Sequence, residues 1–420
     1  MWLRARLLAL TEDVRASYWA VPSVLALFGF AAGLGLVYLD AVLGDAWLGG
    51  LEWFYGSRPD GARSLLSTVA GSTITVAGVV FSITLAAVTY ASGQYGPRLL
   101  SNFVRDRGNQ VTLGVFIGTF LYCLVVLRTI RSAEEASADT AGAVREAFVP
   151  HLAMFGALAL AVLSIGVLIY FVHHVTDAIH VNNVIARIGR GLLADIAERD
   201  GKEIRVEDNV ERPPVRGTPI PATRTGYVEA LDEDALLEAA IERDAVLTVL
   251  AIPGDFVHRG RPLLLVEPRS EKELAACGDL FSIGRKRSDL QDLRFALDEL
   301  VELAARALSP GVNDPFTAVA CIDWLGAVLT DLSAMRERPA LLRDREDRVR
   351  VIVPRLGFAD YLEVAIGRLR PYAMDDPIAG AHLLRTLDTL EQAVADQRHR
   401  ALVRAERDRA AGVVQSEECS

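Results

Sequence analysis

Six hydroxyl-bearing residues, Ser64, Thr68, Ser72, Thr75, Ser82 and Thr89, recur at steps of three, four or seven, with Gly71 and Gly78 in the same register. Such steps lie along one side of a helix. The segment therefore carries a small, hydroxylated face opposite an apolar one made by Val69, Val76, Val80, Ile83 and Leu85. In a solvent without water, a face of this kind meets either a neighbouring helix or an aqueous path. The first outcome needs only close packing, with Ser and Thr bonding to carbonyls of their own helix. The second makes this face the lining of a passive pore with a small ion as its permeant. Arg98, Arg105 and Arg107 follow directly and would stand at the mouth, favouring anions.

Three further groups could do chemistry. His173, Asp177 and His180 are spaced i, i+4, i+7, so on a continuous helix they offer two imidazoles and a carboxylate to a divalent metal. The alternative is a polar collar at a membrane exit, with His173 and His174 at the headgroups. Arg285, Lys286 and Arg287 precede a helix and could hold an anionic headgroup or phosphate, or form a solvated loop. Asn313 and Asp314 are polar candidates for a ligand or contact, although Asp314 also suits a helix N-cap and Pro315 the first helical position. No Ser, His or Cys stands near them to complete a catalytic set. The expectation is a protein that is not an enzyme and has no cofactor beyond such a metal.

The elements that must carry these residues split the chain in two. The sequence is 51% hydrophobic with mean hydropathy +0.26, yet 23% charged, and the apolar mass lies in the first 172 residues. Apolar runs at Val21–Leu39, Leu65–Tyr90, Val111–Leu127 and Phe148–Val172 are each read as a membrane span, given that about 20 apolar residues cross a bilayer. An amphipathic entry helix precedes them, and the first run is too long for a signal peptide. Trp47, Trp53, Phe54 and Tyr55 suit a membrane-surface loop. No Asp, Glu, Lys or Arg falls in the span cores, which disfavours ion-coupled transport, because a titratable site must alternate its exposure. Basic residues at the N-terminus, at 98–107 and at Arg187 and Arg190 place both termini in the cytoplasm of a bacterial inner membrane, by the positive-inside rule.

The soluble half opens with an amphipathic helix from Val181 to Arg199 and a linker marked by Pro213, Pro214, Pro219 and Pro221. Residues 213–270 then read as a small β-sandwich-like module. The run Gly254, Asp255, Phe256, Val257 with Gly260 and Pro262 resembles the turn-strand-turn of biotinyl and lipoyl carrier domains and of membrane-fusion adaptors. No lysine lies between Lys202 and Lys272 to be modified, so a structural or assembly role is expected. Ser288 to Gln291 has the form of a capping box opening a helix. From 271 onward the chain reads as mostly helical, with a strand at Arg348–Val353, a helix over Asp376–Arg409, and a stripe of Thr386, Leu387, Leu390 and Val394 for packing or oligomer contact. Net charge of −10 gives no basic footprint for nucleic acid. Cys123, Cys277, Cys321 and Cys419 form no CxxC pair, so neither a disulfide framework nor a zinc ribbon is indicated.

The segment GSTITVAGVVFSITLAAVTYASGQYGPR, the His173–His174 pair after the last span and the later ALSPGVNDPFTA together resemble a family of predicted bacterial integral membrane proteins catalogued as a domain of unknown function. The resemblance runs in blocks from about Leu10 to Val394. It implies fold and membrane location, and no activity. The expected architecture is a four-helix transmembrane domain over 1–180, an amphipathic helix and linker over 181–212, and a cytoplasmic α+β part over 213–270 and 271–420. The expected function is a homo-oligomeric passive channel lined by the second span, surrounded by lipid and assembled or gated by the cytoplasmic part. The competing reading is a membrane-anchored sensor or scaffold that binds a partner or small ligand.

Overall fold

The computed structural model describes residues 18–43, 59–95, 106–131, 148–200, 217–267, 278, 280–287, 291–335 and 340–417. It divides between His180 and Val181 into two compact units. The aromatic loop near Trp47 and the amphipathic entry helix expected before residue 18 lie outside the described residues.

The first unit is helical: α1 (Ala20–Leu43), α2 (Pro59–Tyr95), α3 (Arg107–Thr129) and α4 (His151–Ile179). Its hub is α3, which packs against the other three and is 56% buried, against 17% or 28% for its neighbours. Glycine brings α1 and α3 together. A Cβ on Gly29 would stand 2.3 Å from the Gly118 carbonyl oxygen, and one on Gly114 would meet the Leu25 side chain at 2.6 Å. Small residues thus give the helices the close backbone approach that packing in lipid requires. On α2 the inward stripe is Ala62, Leu66, Ala70, Thr73, Ala77, Val80, Thr84 and Ala87, all buried. Outward surfaces of α1 and α4 carry large apolar side chains, among them Leu27, Phe28, Tyr38, Phe155, Leu163 and Ile169.

The second unit is α+β. It comprises α5 (Val181–Asp200), β1 (Thr218–Pro221), β2 (Gly226–Leu231), α6 (Glu233–Glu242), β3 (Val246–Val249), β4 (Phe256–Val257), β5 (Pro262–Glu267) and β6 (Phe281–Gly284). There follow α7 (Leu293–Ala307), α8 (Pro315–Ala334), β7 (Ala340–Arg343), β8 (Val349–Val353), α9 (Phe358–Leu362), α10 (Arg370–Met374), α11 (Pro377–Ala393) and α12 (Gln397–Glu417). A five-stranded sheet runs β1-β5-β3-β8-β7 and a three-stranded one β4-β2-β6. Because β3 pairs in parallel with β8, the β-rich segment at 213–270 is completed by strands that follow α8. Leu236, Leu247, Val257, Leu263, Val266, Phe281, Val351 and Val353 share its core. Gly254 and Gly260 take φ of +91° and +92°, the tight turns expected around β4.

The helices of this unit pack as a second layer. Trp324 of α8 lies on Gly189 of α5, where a Cβ would meet the ring at 2.2 Å. Leu387, Leu390 and Val394 are buried in the chain's own core rather than offered to another copy. The helix expected over Asp376–Arg409 is two helices, because Asp396 accepts from the amides of Arg398 and His399 at 2.7 and 3.0 Å and starts a new one.

Among the described residues, five helices are long and apolar enough to cross a membrane: α1 to α4 in the first unit and α8 in the second. The expected count of four passes over α8, whose apolar surface packs against α5, α7 and α11.

Candidate functional site in the helical unit

The six hydroxyl residues of the expected stripe on α2, Ser64, Thr68, Ser72, Thr75, Ser82 and Thr89, are exposed, on the side turned away from α3. Thr68 donates to the Ser64 carbonyl at 2.8 Å, Ser72 to Thr68 at 2.7 Å, Thr75 to Gly71 at 2.8 Å, Ser82 to Gly78 at 2.8 Å and Thr89 to Leu85 at 2.8 Å. Each of these five hydroxyls is therefore satisfied by its own helix, and nothing lies within 4 Å of the Cβ positions of Gly71 and Gly78. The apolar counter-face is less tidy than its spacing suggests. Val80 is buried, but Ile83 and Leu85 are 41% and 56% exposed, since alanines rather than the larger residues define the inward side. Near the end of the stripe, Phe81, Ser82, Leu85, Ala86, Thr89, Tyr90 and Gly93 line an open surface groove. Arg107 is exposed on the first turn of α3, while Arg98 and Arg105 lie outside the described residues.

The ends of the bundle hold buried polar groups. At one end Asp106 caps α3 by accepting from the Asn109 amide at 3.1 Å, and the same oxygen bonds His174 Nε2 of α4 at 2.8 Å. The His174 ring stacks on Tyr170 and fills the space over Gly108, where a Cβ would stand 2.6 Å from Nε2. At the other end Asp40, buried in α1, accepts from the amides of Leu152 and Ala153, both at 2.9 Å. Pro150 supplies no side-chain cap to α4, so Asp40 caps that helix from outside and meets the positive end of its dipole. Tyr122 completes the junction by donating to the Ala153 carbonyl at 2.7 Å.

Of the three expected metal ligands, His173 and Asp177 approach to 3.5 Å on an exposed helix face. His180 does not continue their register, because α4 ends at Ile179 and His180 adopts an extended backbone, ψ 121°. Among the described residues no three His, Cys, Asp or Glu side chains gather to hold a metal.

The basic trio of the second unit is divided by the fold. Arg285 and Lys286 are exposed, whereas Arg287 turns inward and donates to Asp292 and Asp298, both at 2.6 Å. Burial lowers the Arg287 pKa and these carboxylates raise it by more, so the guanidinium stays charged. Asp292 also accepts from Arg294, which reaches the Pro253 carbonyl at 2.8 Å and so ties α7 to the β4 turn. Asp314 is the N-cap of α8, accepting from the amide and hydroxyl of Thr317 at 3.1 and 2.6 Å, with Pro315 opening the helix. Asn313 sits beside it at φ +50°. These two residues shape a turn, and the structure brings them no catalytic partner among the described residues.

Residues 15–389 match the family described as "Predicted membrane protein (DUF2254)". The chain belongs to this family. It is 31% identical over 411 residues to uncharacterized proteins of Mycobacterium bovis and Mycobacterium tuberculosis, an alignment covering 95% of this chain and 76% of each relative. No solved structure matches. Membership supports a membrane protein with several apolar helices and assigns it no activity.

Sequence reasoning missed the two carboxylates that cap helices in this family member, buried Asp40 and half-buried Asp106. Asp40 read as the first residue of a loop because it follows the apolar run, but α1 continues past it to Leu43. Asp106 had a legible signal, an acidic residue three positions before Asn109 at the start of an apolar run. Its tie to His174, 68 residues away, had none.

Proposed function

We propose that the protein is an oligomeric passive channel of a bacterial inner membrane, in which α2 faces a shared axis. The observation that carries this reading is the contrast between outward surfaces. Those of α1 and α4 are large and apolar, as lipid contact favours, whereas that of α2 carries a stripe of small and hydroxylated residues between exposed apolar ones such as Ile74, Val79, Ile83 and Leu85. From Ser64 to Ser82 the stripe rises about 27 Å at 1.5 Å per residue, close to a hydrocarbon core of about 30 Å. Copies of α2 around an axis would place oxygen along the path, and basic residues at 98–107 would favour anions at its mouth. In this reading α1 to α4 cross the bilayer and α8 is a core helix of a cytoplasmic unit that shares a side with both termini.

Planar-bilayer recordings of the purified protein test it. Unitary currents with a reversal potential shifted toward the anion, reduced by Thr75→Leu, are expected. Silence under voltage, tension and osmotic load would overturn the proposal. The second reading is an anchored scaffold or sensor whose spans only pack. It draws support from the hydroxyls of α2 that are already bonded to their own helix, and it expects Thr75→Leu to change assembly with no flux to alter.

A further inference from the structure

The three-stranded sheet β4-β2-β6 is antiparallel throughout, with Phe256 and Gly284 both opposite Tyr227. The chain therefore enters β2, and leaves β4 and β6, at one and the same end of the sheet. Basic residues occupy all three places: Arg224 before β2, Arg259 and Arg261 after β4, and Arg285 and Lys286 after β6. Two of these loops are tied together. The Ala222 amide donates to the Arg261 carbonyl at 2.8 Å, the Gly260 amide to the Ala222 carbonyl at 2.9 Å and the Arg259 amide to the Thr225 hydroxyl at 3.1 Å.

This end of the sheet lacks counter-charge. Exposed arginines elsewhere in the unit hold carboxylates, as Arg355 does Glu233, Arg404 Glu391 and Arg407 Asp388. Arg224, Arg259, Arg285 and Lys286 are exposed, and among the described residues none of them has an ion pair. The acidic residues of β2 and of the turn into β4 are engaged within the chain. Asp255 accepts from the Ile252 amide at 3.2 Å and meets Arg294 at 3.3 Å, while Glu229 lies over Gly284 and accepts from the Ser282 hydroxyl at 3.3 Å. Four uncompensated cations thus gather at one edge of a chain whose net charge is −10. Beside them Phe256 is 50% exposed, its ring edge-on to that of Tyr227 at 5.1 Å.

We propose that this end of the sheet is a docking surface for an anionic lipid bilayer. Cations around an exposed aromatic ring have the composition of an interfacial contact, in which charge meets headgroup phosphates and the ring enters the headgroup boundary. Cations spread over three loops and open to solvent suit a plane of phosphates better than one enclosed anion. A bilayer is also the anionic surface that the chain itself brings near, because the second unit starts at Val181, directly after the last helix of the apolar unit and His180. A tethered site meets its partner at high effective concentration.

Amide hydrogen exchange of the full chain, reconstituted in nanodiscs of phosphatidylglycerol or of phosphatidylcholine, tests this surface without any measurement of conduction. Both leaflets of a disc carry the same lipid, so the result does not depend on the side where the second unit lies. Exchange at residues 222–225 and 258–261 should be slower in phosphatidylglycerol by at least roughly fivefold, the weight of one basic residue near an anionic leaflet. The difference should vanish at about 1 M salt, where the screening length falls to about 3 Å. Arg224→Gln, Arg259→Gln, Arg285→Gln and Lys286→Gln together should bring exchange in phosphatidylglycerol to the phosphatidylcholine rate, with exchange at Val246–Val249 unchanged as the sign of an intact fold. Equal exchange of the natural chain in the two lipids would overturn the proposal. So would equal slowing by inorganic phosphate added to phosphatidylcholine discs, which would make the cluster a site for a soluble anion.

Discussion

At the scale of single residues, this protein spends its buried charge on joining elements. Asp40 closes the open amides of α4 from another helix, so Asp40→Ala should lower stability by about 1–3 kcal/mol, the cost of leaving buried donors unmatched. Asp40→Asn, which keeps one acceptor oxygen, should lose less. Thermal unfolding of the solubilised protein followed by tryptophan fluorescence reads the difference. In the second unit, Arg287→Met removes one of the two guanidinium partners of each of two buried carboxylates, leaving Arg294 on Asp292 and Arg368 on Asp298, and should cost about 1–3 kcal/mol, while Arg285→Met on the exposed side of the same loop stays within about 0.5 kcal/mol. Equal small effects would return Arg287 to the role of a free basic residue awaiting an anion. Asp344 extends the logic to pH. Burial pulls its pKa up, but hydrogen bonds from Arg350 and Arg348, at 2.8 and 2.9 Å, hold it well below the usual carboxylate value of 3.8. Because the folded value is depressed, its contribution is complete above the unfolded value and is lost only as pH falls through the folded one. Asp344→Asn should therefore weaken the β7–β8 hairpin at neutral pH and make no difference in strong acid, as far as the protein stays folded there.

Among the elements, α2 shows which features of the fold could be read from sequence and which could not. Its existence and hydroxyl periodicity follow from a charge-free apolar run with residues at steps of three and four, while the helix extends beyond the expected Leu65–Tyr90 to Pro59–Tyr95. Its place in the bundle does not, because Ala62, Ala70, Ala77 and Ala87 are too small to announce a buried face, yet they are the side that meets α3. Adjacent substitutions test the assignment. Ala77→Leu forces volume toward Leu113 and Phe116 and should cost about 1–3 kcal/mol, whereas Thr75→Leu, facing out, should leave the fold of the single chain within about 0.5 kcal/mol. The reverse ranking in unfolding midpoints would turn α2 around. The start of α7 fails differently. Residues 288–291 match a capping box by pattern, but the helix begins after Asp292, which accepts from the Arg294 amide at 3.1 Å. Gln291 instead exchanges two hydrogen bonds with the backbone of Leu231, at 2.9 and 3.1 Å, and so mimics a strand neighbour for β2. A local pattern names a cap, but only the tertiary fold decides which of two adjacent polar residues is drawn to a strand 60 positions away. Asp314 escaped this ambiguity because Pro315 fixes where its helix can begin.

For the whole molecule, the open matter is α8, which by length and composition could cross a membrane as well as α1 to α4 do. Physical context argues for a core helix. Its buried residues Ala318, Cys321, Ile322, Leu325, Val328, Leu329 and Leu332 are met by α7 and α11, amphipathic helices whose other faces carry Glu and Arg. Asp323 of α8 bonds His382 of α11 at 2.6 Å on a surface where Asp323 is 60% exposed. A lipid-exposed carboxylate at mid-helix would be costly, and the same group in water costs little. The division between His180 and Val181 turns this into an experiment. A fragment of residues 181–420, made without the helical unit, should be recovered as a folded protein in aqueous buffer with no detergent. It should unfold cooperatively, because its sheets and helical layer draw their core from within the unit. Recovery only in the membrane fraction, or only with detergent, would make α8 a fifth span and reverse the side on which the C-terminus lies relative to α4.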